Sequence, residues 1–234
     1  MSKLYAKKVV LFIVEGASER QALRPIFETL YKRDRNIKFE ITNGDITSNP
    51  ASTPADAEEI VVKLVKKYLA DNKLKKSDLY QIIQIFDTDG TYIPDSAIIR
   101  GEMGKYHYTD ENIVCLYPEE ARARNAHKRE ILGHLLALDS IYGIPYEKYF
   151  MSANLDHVLY DEANLTADEK LEQAAIFKEA FHGKEHVFPA FLEQIAGDVP
   201  DDLATSWNYI KKDVNSLQKH TNLHLYFKLH PLMS

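Results

Sequence analysis

Residues 9–19, with the sequence VVLFIVEGASE, decide the fold of this chain. Six consecutive apolar residues end abruptly in a glutamate, a glycine and, a helical turn later, a second glutamate. An apolar run without alternation is typical of a strand that is buried on both faces, as in a parallel sheet. Residues 81–90, QIIQIFDTDG, show the same pattern with two aspartates after the run. The two stretches therefore predict two inner strands of an α/β fold with a mainly parallel sheet.

The carboxylates that follow these runs are the candidate catalytic and metal-ligating residues. They are Glu15, Glu19, Asp87 and Asp89. Open α/β folds build their sites at the carboxyl ends of the strands, so acids from two strand ends are expected to meet there. Oxygen ligands alone suit Mg²⁺ or Mn²⁺ better than Zn²⁺. Glu19 is either a further ligand or base, or an ordinary acidic residue in the first turn of a helix.

Composition limits the classes of protein that need to be considered. The chain has 234 residues, 45% hydrophobic residues and a formal net charge of −6, which favours one α/β domain with a helical appendage. The negative charge argues against broad coating of nucleic acid but allows a local basic groove. A single cysteine, Cys115, excludes an intramolecular disulfide and fits a reducing cytoplasm. No apolar stretch approaches the length of a membrane span.

Strand and helix patterns alternate in the first part of the chain and give way to helices later. Strands are predicted at residues 8–14, 37–41, 81–87, 112–117 and 148–151, and helices at 18–31 (with Ser18 as N-cap), 54–69 and 118–138. Later helices are predicted at 168–181, 186–195 and 201–220, with 220–227 as a terminal strand or docking segment. We therefore predict an α/β core over residues 1–152 and a helical appendage or lid over residues 153–234.

The two motifs VEGASE and DTDG, in this order and spacing, resemble the metal site of the Toprim domain. That domain is shared by topoisomerases, primases, a maturase ribonuclease and nucleases of the overcoming-lysogenization-defect group. In the family, a glutamate after the first strand and an Asp-x-Asp after the third surround magnesium. By position, Glu15 matches the glutamate, and Asp87 and Asp89 match the paired aspartates. The resemblance covers about the first half of the chain.

The form of the first motif is nearest to the nuclease branch of Toprim proteins, which often lies beside an ATPase in phage-defence systems. The resemblance implies a magnesium-dependent nuclease that acts on DNA or RNA in prokaryotic antiviral defence, with an ATPase as a partner. Residues 152–157, SANLDH, also weakly resemble a stretch that some of these nucleases carry after the core, which would give Asp156 the place of a glutamate. A polar helix start after a strand explains that segment almost as well.

Two other hypotheses fit the same residues. Residues 85–92, IFDTDGTY, resemble the first motif of haloacid-dehalogenase-type phosphatases, with Asp87 as nucleophile and Ser152 in the second motif. That family normally places the nucleophile on the first strand, whereas 86 residues precede Asp87, and the scheme gives Glu15 no role. The third hypothesis is a Toprim-shaped adaptor that binds nucleic acid or a partner ATPase without cutting.

The densest run of basic residues lies in the helix predicted from residue 118. Its members are Arg122, Arg124, Lys128 and Arg129. Arg122 and Arg129 are seven residues apart and so fall on one face of the helix. One hypothesis is a phosphate-binding track for nucleic acid beside the metal site. The other is a solvated helix face paired with its own acidic residues. No membrane partner is expected, and the sequence leaves a homodimer open.

Overall fold

The computed structural model describes residues 8–232 and contains a five-stranded central sheet. Its strands are β1 (Val9–Val14), β2 (Asn36–Ile41), β3 (Leu79–Asp87), β7 (Ser140–Ile141) and β8 (Ile144–Met151). The strand order is β2-β1-β3-β8-β7, and only the β7–β8 pair is antiparallel. The predicted mixed α/β fold with a mainly parallel sheet is confirmed.

Burial follows the apolar patterns of the strands. All six residues of β1 are buried, and this strand lies between β2 and β3. β3 lies between β1 and β8, and eight of its nine residues are buried. β2 alternates at its start and pairs only with β1, so it forms one edge of the sheet, as its alternating sequence predicted.

Helices cover both faces of the sheet. They are α1 (Ala17–Leu30), α2 (Pro54–Asp71), α3 (Pro118–Ala137), α4 (Leu155–Tyr160), α5 (Ala167–Phe181), α6 (Phe188–Ala196), α7 (Leu203–Ile210) and α8 (His224–Leu229). Residues of α1, α4, α5, α6 and α8 share one apolar cluster with β1, β3 and β8. Residues of α2, α3 and α7 pack against the other face. None of the helices within residues 8–232 has the length and apolar character needed to cross a membrane.

A separate small sheet follows β3 in the chain. It contains β4 (Ile98–Arg100), β5 (His107–Tyr108) and β6 (Ile113–Cys115), in the order β4-β6-β5. The sequence predicted the strand at residues 112–117 but placed it in the same series as the strands of the main sheet. The small sheet instead has its own apolar cluster, in which Ile98 and Ile113 contact Leu217 from the C-terminal part. We call residues 92–117 the small-sheet segment.

Two local predictions are wrong for physical reasons. Helix α1 begins at Ala17 after Gly16, so Ser18 is not its N-cap; the Ser18 hydroxyl instead donates to Glu19 at 3.1 Å. The helix predicted over residues 201–220 ends at Ile210. Beyond it the chain turns back across the ends of β3 and β8, where the Ser216 carbonyl accepts hydrogen bonds from Ala153 N (2.8 Å) and Thr88 Oγ1 (2.9 Å). These tertiary hydrogen bonds replace those that a longer helix would make.

The C-terminal helices share a core with the sheet. Phe188 of α6 and Tyr226 of α8 are fully buried in the cluster that contains Phe12 of β1 and Phe27 of α1. The terminal segment combines the two predicted forms: Thr221 makes an isolated antiparallel bridge with Met151, and helix α8 follows. The division of the chain at residue 152 stays a prediction.

Candidate functional site

All four predicted carboxylates line one cavity at the carboxyl edge of the main sheet. The cavity has a volume of about 390 Å³, and its acidic lining residues are Glu15, Glu19, Asp45, Asp87 and Asp89. Glu15 directly follows β1 and Asp87 ends β3, and these strands are parallel neighbours. The site is therefore formed by the sheet topology, because adjacent parallel strands bring their carboxyl ends together.

Glu15 and Asp87 also connect the ends of neighbouring strands through hydrogen bonds. Glu15 Oε1 accepts a hydrogen bond from Asp87 N at 3.3 Å. Asp87 Oδ1 accepts one from Leu155 N at 3.0 Å, at the start of α4. The two acids thus connect the ends of β1 and β3 with the segment that follows β8.

Asp89 is held by its backbone conformation and by two side chains. Its φ of 49° lies in the left-handed region, which aspartate tolerates better than most residues, and its N–H donates to the Ala153 carbonyl at 2.7 Å. Asp89 Oδ1 accepts a hydrogen bond from the Tyr108 hydroxyl at 3.3 Å. Asp89 Oδ2 lies 2.5 Å from the ammonium nitrogen of Lys128.

The Glu19 carboxylate lies against Gly16, the residue before α1, and lines the cavity. A Cβ atom at Gly16 would lie 2.9 Å from Glu19 Oε2, closer than such atoms approach in proteins. The glutamate side chain occupies this space and is only 8% exposed. Of the two roles considered for Glu19, this placement favours a part in the site over a solvated charge in the first helical turn.

Two charged residues of the site were not recognised as its members from the sequence. Asp45 lies in the loop between β2 and α2 and accepts a hydrogen bond from Thr47 N at 2.7 Å. The Lys128 side chain is completely buried and donates to Asp45 Oδ2 at 2.8 Å as well as to Asp89. Lys128 therefore bridges a loop and a strand end beneath the cavity.

Negative charge exceeds positive charge at this edge. Burial, together with the neighbouring charge of Asp45, raises the pKa of Glu15 well above its usual value. Burial and the charges of Glu19 and Asp89 do the same to the pKa of Asp87. Burial would also raise the pKa of Asp45, but the charge and hydrogen bond of Lys128 outweigh it and lower this pKa to about 2. A further cation in the cavity would relieve the repulsion among these acids.

The donor chemistry of the cavity fits a hard divalent cation. Its acidic groups are carboxylates, whose oxygens Mg²⁺ and Mn²⁺ prefer, and the charges of neighbouring acids add to burial in raising the pKa values of Glu15 and Asp87. The ligand set is not preformed: within residues 8–232, no group of three or more His, Cys, Asp or Glu side chains is arranged to hold a metal ion. Asp45 and Asp89 instead direct carboxylate oxygens to Lys128.

The arginines predicted as a phosphate track bond to the chain itself. Arg124 Nη2 donates to the Asp89 carbonyl at 2.8 Å, and Arg124 Nη1 donates to the Tyr108 hydroxyl at 3.0 Å. Arg122 donates to the Ile98 carbonyl at 3.1 Å, and Arg129 donates to the Thr91 carbonyl at 2.7 Å. These contacts hold the residues that follow β3 against α3. Binding of nucleic acid by Arg122, Arg124, Lys128 and Arg129 stays a prediction.

The segment after β8 supplies a further buried acid near the cavity. Asp156 is 2% exposed, and its Oδ2 lies 2.7 Å from the Lys170 ammonium, which belongs to a residue lining the cavity. Ser152, the second-motif residue of the phosphatase hypothesis, donates to the Gln218 carbonyl and accepts a hydrogen bond from His220 N at 2.7 Å. The Ser152 hydroxyl thus holds the end of β8 to residues 218–220 of the C-terminal segment.

Comparisons of this chain with protein-family models, with curated proteins and with solved structures gave no match. The interpretation of the site therefore rests on its own geometry and on the resemblance of its motifs.

Proposed function

We propose that the chain is a Toprim-like, metal-dependent nuclease that hydrolyses phosphodiester bonds of DNA or RNA. One observation carries the proposal: Glu15, Glu19, Asp87 and Asp89 line a single cavity at the carboxyl ends of two adjacent parallel strands. The motif resemblance supports a role for such an enzyme in prokaryotic antiviral defence with a partner ATPase. The cytoplasmic location is an expectation from the sequence.

Six charged residues of the cavity have roles in this scheme. Asp87 and Asp89 would hold Mg²⁺ or Mn²⁺, with Glu15 as a further ligand or as general base and Glu19 in support. A bound divalent ion supplies Lewis-acid stabilisation of the phosphate oxygens and lowers the pKa of a bound water. Burial raises the pKa of Glu15 above its usual value, so its carboxylate is a stronger proton acceptor than that of an exposed glutamate. Lys105 and Lys170 line the same cavity and add positive charge for a phosphate.

The decisive experiment measures nucleic-acid cleavage by the purified chain with Mg²⁺, with Mn²⁺ and with a chelator. We expect cleavage only with metal, and a loss of at least about 100-fold in Asp87→Asn and Glu15→Gln, on the scale of losing an electrostatic catalytic group. Glu59→Gln is the matched control, because Glu59 is an exposed acid of α2 that pairs with Lys63 across one helical turn. Calorimetric titration of the same variants with Mn²⁺ separates lost metal binding from lost chemistry.

Other outcomes would overturn the proposal in favour of the competing hypotheses. A phosphatase would keep its hydrolysis of small phosphomonoesters in Glu15→Gln, and a phosphoaspartate would be trapped at Asp87. An adaptor would bind nucleic acid but leave it intact with either metal, even when an ATPase partner is supplied. Cleavage that persists unchanged in Asp87→Asn would remove the cavity from the reaction altogether.

A further inference from the structure

A second cavity adjoins the acidic one and has different chemistry. Its volume is about 450 Å³, and its lining includes the rings of Tyr106, Tyr108 and Tyr117. Lys105, Tyr106 and Tyr108 line both cavities. The small-sheet segment therefore forms the boundary between an acidic compartment and an aromatic one. We call the two cavities together the edge groove.

The aromatic compartment is organised by polar contacts. The Arg124 guanidinium lies over the Tyr106 ring, 4.2 Å from its centroid. The Tyr108 ring is fixed by hydrogen bonds with Arg124 and Asp89. Tyr117, in contrast, is 57% exposed just before α3. The rings of Tyr106 and Tyr108 are thus held in place by Arg124 and Asp89. The Tyr117 ring lines the same cavity and presents apolar surface to solvent.

Access to the acids restricts what can enter the groove. Asp87 is 7% exposed and Glu19 is 8% exposed, so a reacting phosphate must come into the cavity rather than lie on an open surface. A duplex keeps its bases stacked inside and is stiff, whereas a single strand can turn its bases outward onto aromatic side chains. An exposed ring beside a recessed phosphate site therefore favours a single strand.

On the basis of the proposed nuclease function, we infer that the edge groove binds single-stranded nucleic acid. The scissile phosphate enters the acidic compartment, and the base of a flanking nucleotide stacks in the aromatic one, against Tyr117 or Tyr106. Lys105 is exposed and lines both compartments, which suits a contact with the phosphate between them. Glu120 also lines the aromatic compartment, and its negative charge favours a base over a phosphate there.

The test is binding of a fluorescent single-stranded oligonucleotide, measured by anisotropy in an Asp87→Asn background that prevents cleavage. We expect Tyr117→Ala to weaken binding by about 5- to 150-fold, the range for loss of one base–aromatic stack. Lys105→Ala should reduce the magnitude of the slope of the logarithm of the binding constant against the logarithm of salt concentration by about one unit, as expected for the loss of one phosphate contact. The control is Tyr142→Ala: Tyr142 is 41% exposed but lies in the β7–β8 turn, at the opposite end of β8 from the site. Circular dichroism checks that each variant is folded.

The outcomes separate this inference from the proposed function. A duplex of the same sequence should compete at least about 10-fold less well than the single strand. Equal binding of duplex and single strand, or unchanged binding in Tyr117→Ala, would overturn the single-strand groove even if metal-dependent cleavage is found. Tyr117-dependent binding without hydrolysis of oligonucleotides or of bis(p-nitrophenyl) phosphate would support the groove and overturn the nuclease.

Discussion

The aromatic face of the sheet and its carboxyl edge are both buried, but burial has opposite energetic signs in the two regions. On the face, the rings of Phe12, Phe27 and Tyr226 pack in tilted and edge-to-face arrangements with centroids 4.7–5.6 Å apart, and each ring removes apolar area from water. At the edge, burial raises the pKa of Glu15 and Asp87, which means that their ionised forms oppose folding at neutral pH. The aromatic face therefore stabilises the fold, whereas the ionised acids at the edge destabilise it, as is common at functional sites.

The largest expected effect tests whether Lys128 holds the edge together. Lys128→Met keeps much of the side-chain volume but leaves the carboxylates of Asp45 and Asp89, each 19% exposed, without their common cation. We expect a loss of about 3–5 kcal/mol in the free energy of unfolding, the range for breaking a buried ion pair from one side. Denaturant unfolding at pH 7 measures it.

Two control variants define the cause of that loss. Lys63→Met removes an exposed lysine, whose pairing with Glu59 is worth at most about 1 kcal/mol. Lys128→Met combined with Asp45→Asn should recover part of the loss, because one of the uncompensated charges is gone. If Lys128→Met is no less stable than Lys63→Met, the edge does not depend on its buried cation.

The second prediction addresses the aromatic face. Leu192 of α6 is fully buried in the cluster with Phe188, so Leu192→Ala should reduce the free energy of unfolding by about 3 kcal/mol through lost contacts and a cavity. Because Leu192 does not line the acidic cavity, cleavage per folded molecule should stay unchanged. Denaturant unfolding and nucleic-acid cleavage, measured on the same preparation of Leu192→Ala, test both expectations. A parallel loss of both would show that the face and the edge are coupled.

The smallest effect concerns the pH dependence of the edge. Asp45 has a pKa of about 2 in the folded chain against an ordinary value of 3.8, because Lys128 outweighs the opposing effect of burial. A lowered folded pKa contributes stability above pH 4 that disappears as the pH falls toward 2. Asp45→Asn should therefore cost about 2 kcal/mol at pH 7. The difference between wild type and variant, followed by urea unfolding, should shrink below pH 4; a constant difference would contradict it.

The sequence predicted those parts of the sheet and of its carboxyl edge that local residue patterns encode. The run in β1 is apolar throughout and the run in β3 is interrupted only by the buried Gln81 and Gln84, because both faces of these strands are covered, and the acids after them stand out for that reason. Asp45 does not stand out, because it lies in a polar loop where an aspartate is ordinary. Its contact with Lys128 joins residues 83 positions apart, and no local pattern carries that information.

The basic helix and the small sheet show two further limits. Helical spacing tells which residues of α3 share a face, but not that the buried Lys128 side chain contacts Asp45 and Asp89 while Arg122 bonds to the Ile98 carbonyl. The strands β4 and β6 have three residues each, and β5 has two. These strands are too short to show an alternating pattern in the sequence. Both features depend on tertiary contacts, which outweigh local preferences.

The backbone at Asp89 narrows the choice of substitutions in any mutational scan of this edge. Asp89 and Ala153 both have a φ of 49° and are joined by a hydrogen bond where the chain leaves β3 and β8. Most residues pay roughly 1–2 kcal/mol for this conformation, whereas asparagine, aspartate and glycine adopt it more easily. An alanine scan would therefore overstate the importance of the Asp89 carboxylate by adding backbone strain to the lost charge. Asparagine isolates the charge, and a library at this position should retain folded clones mainly with asparagine and glycine.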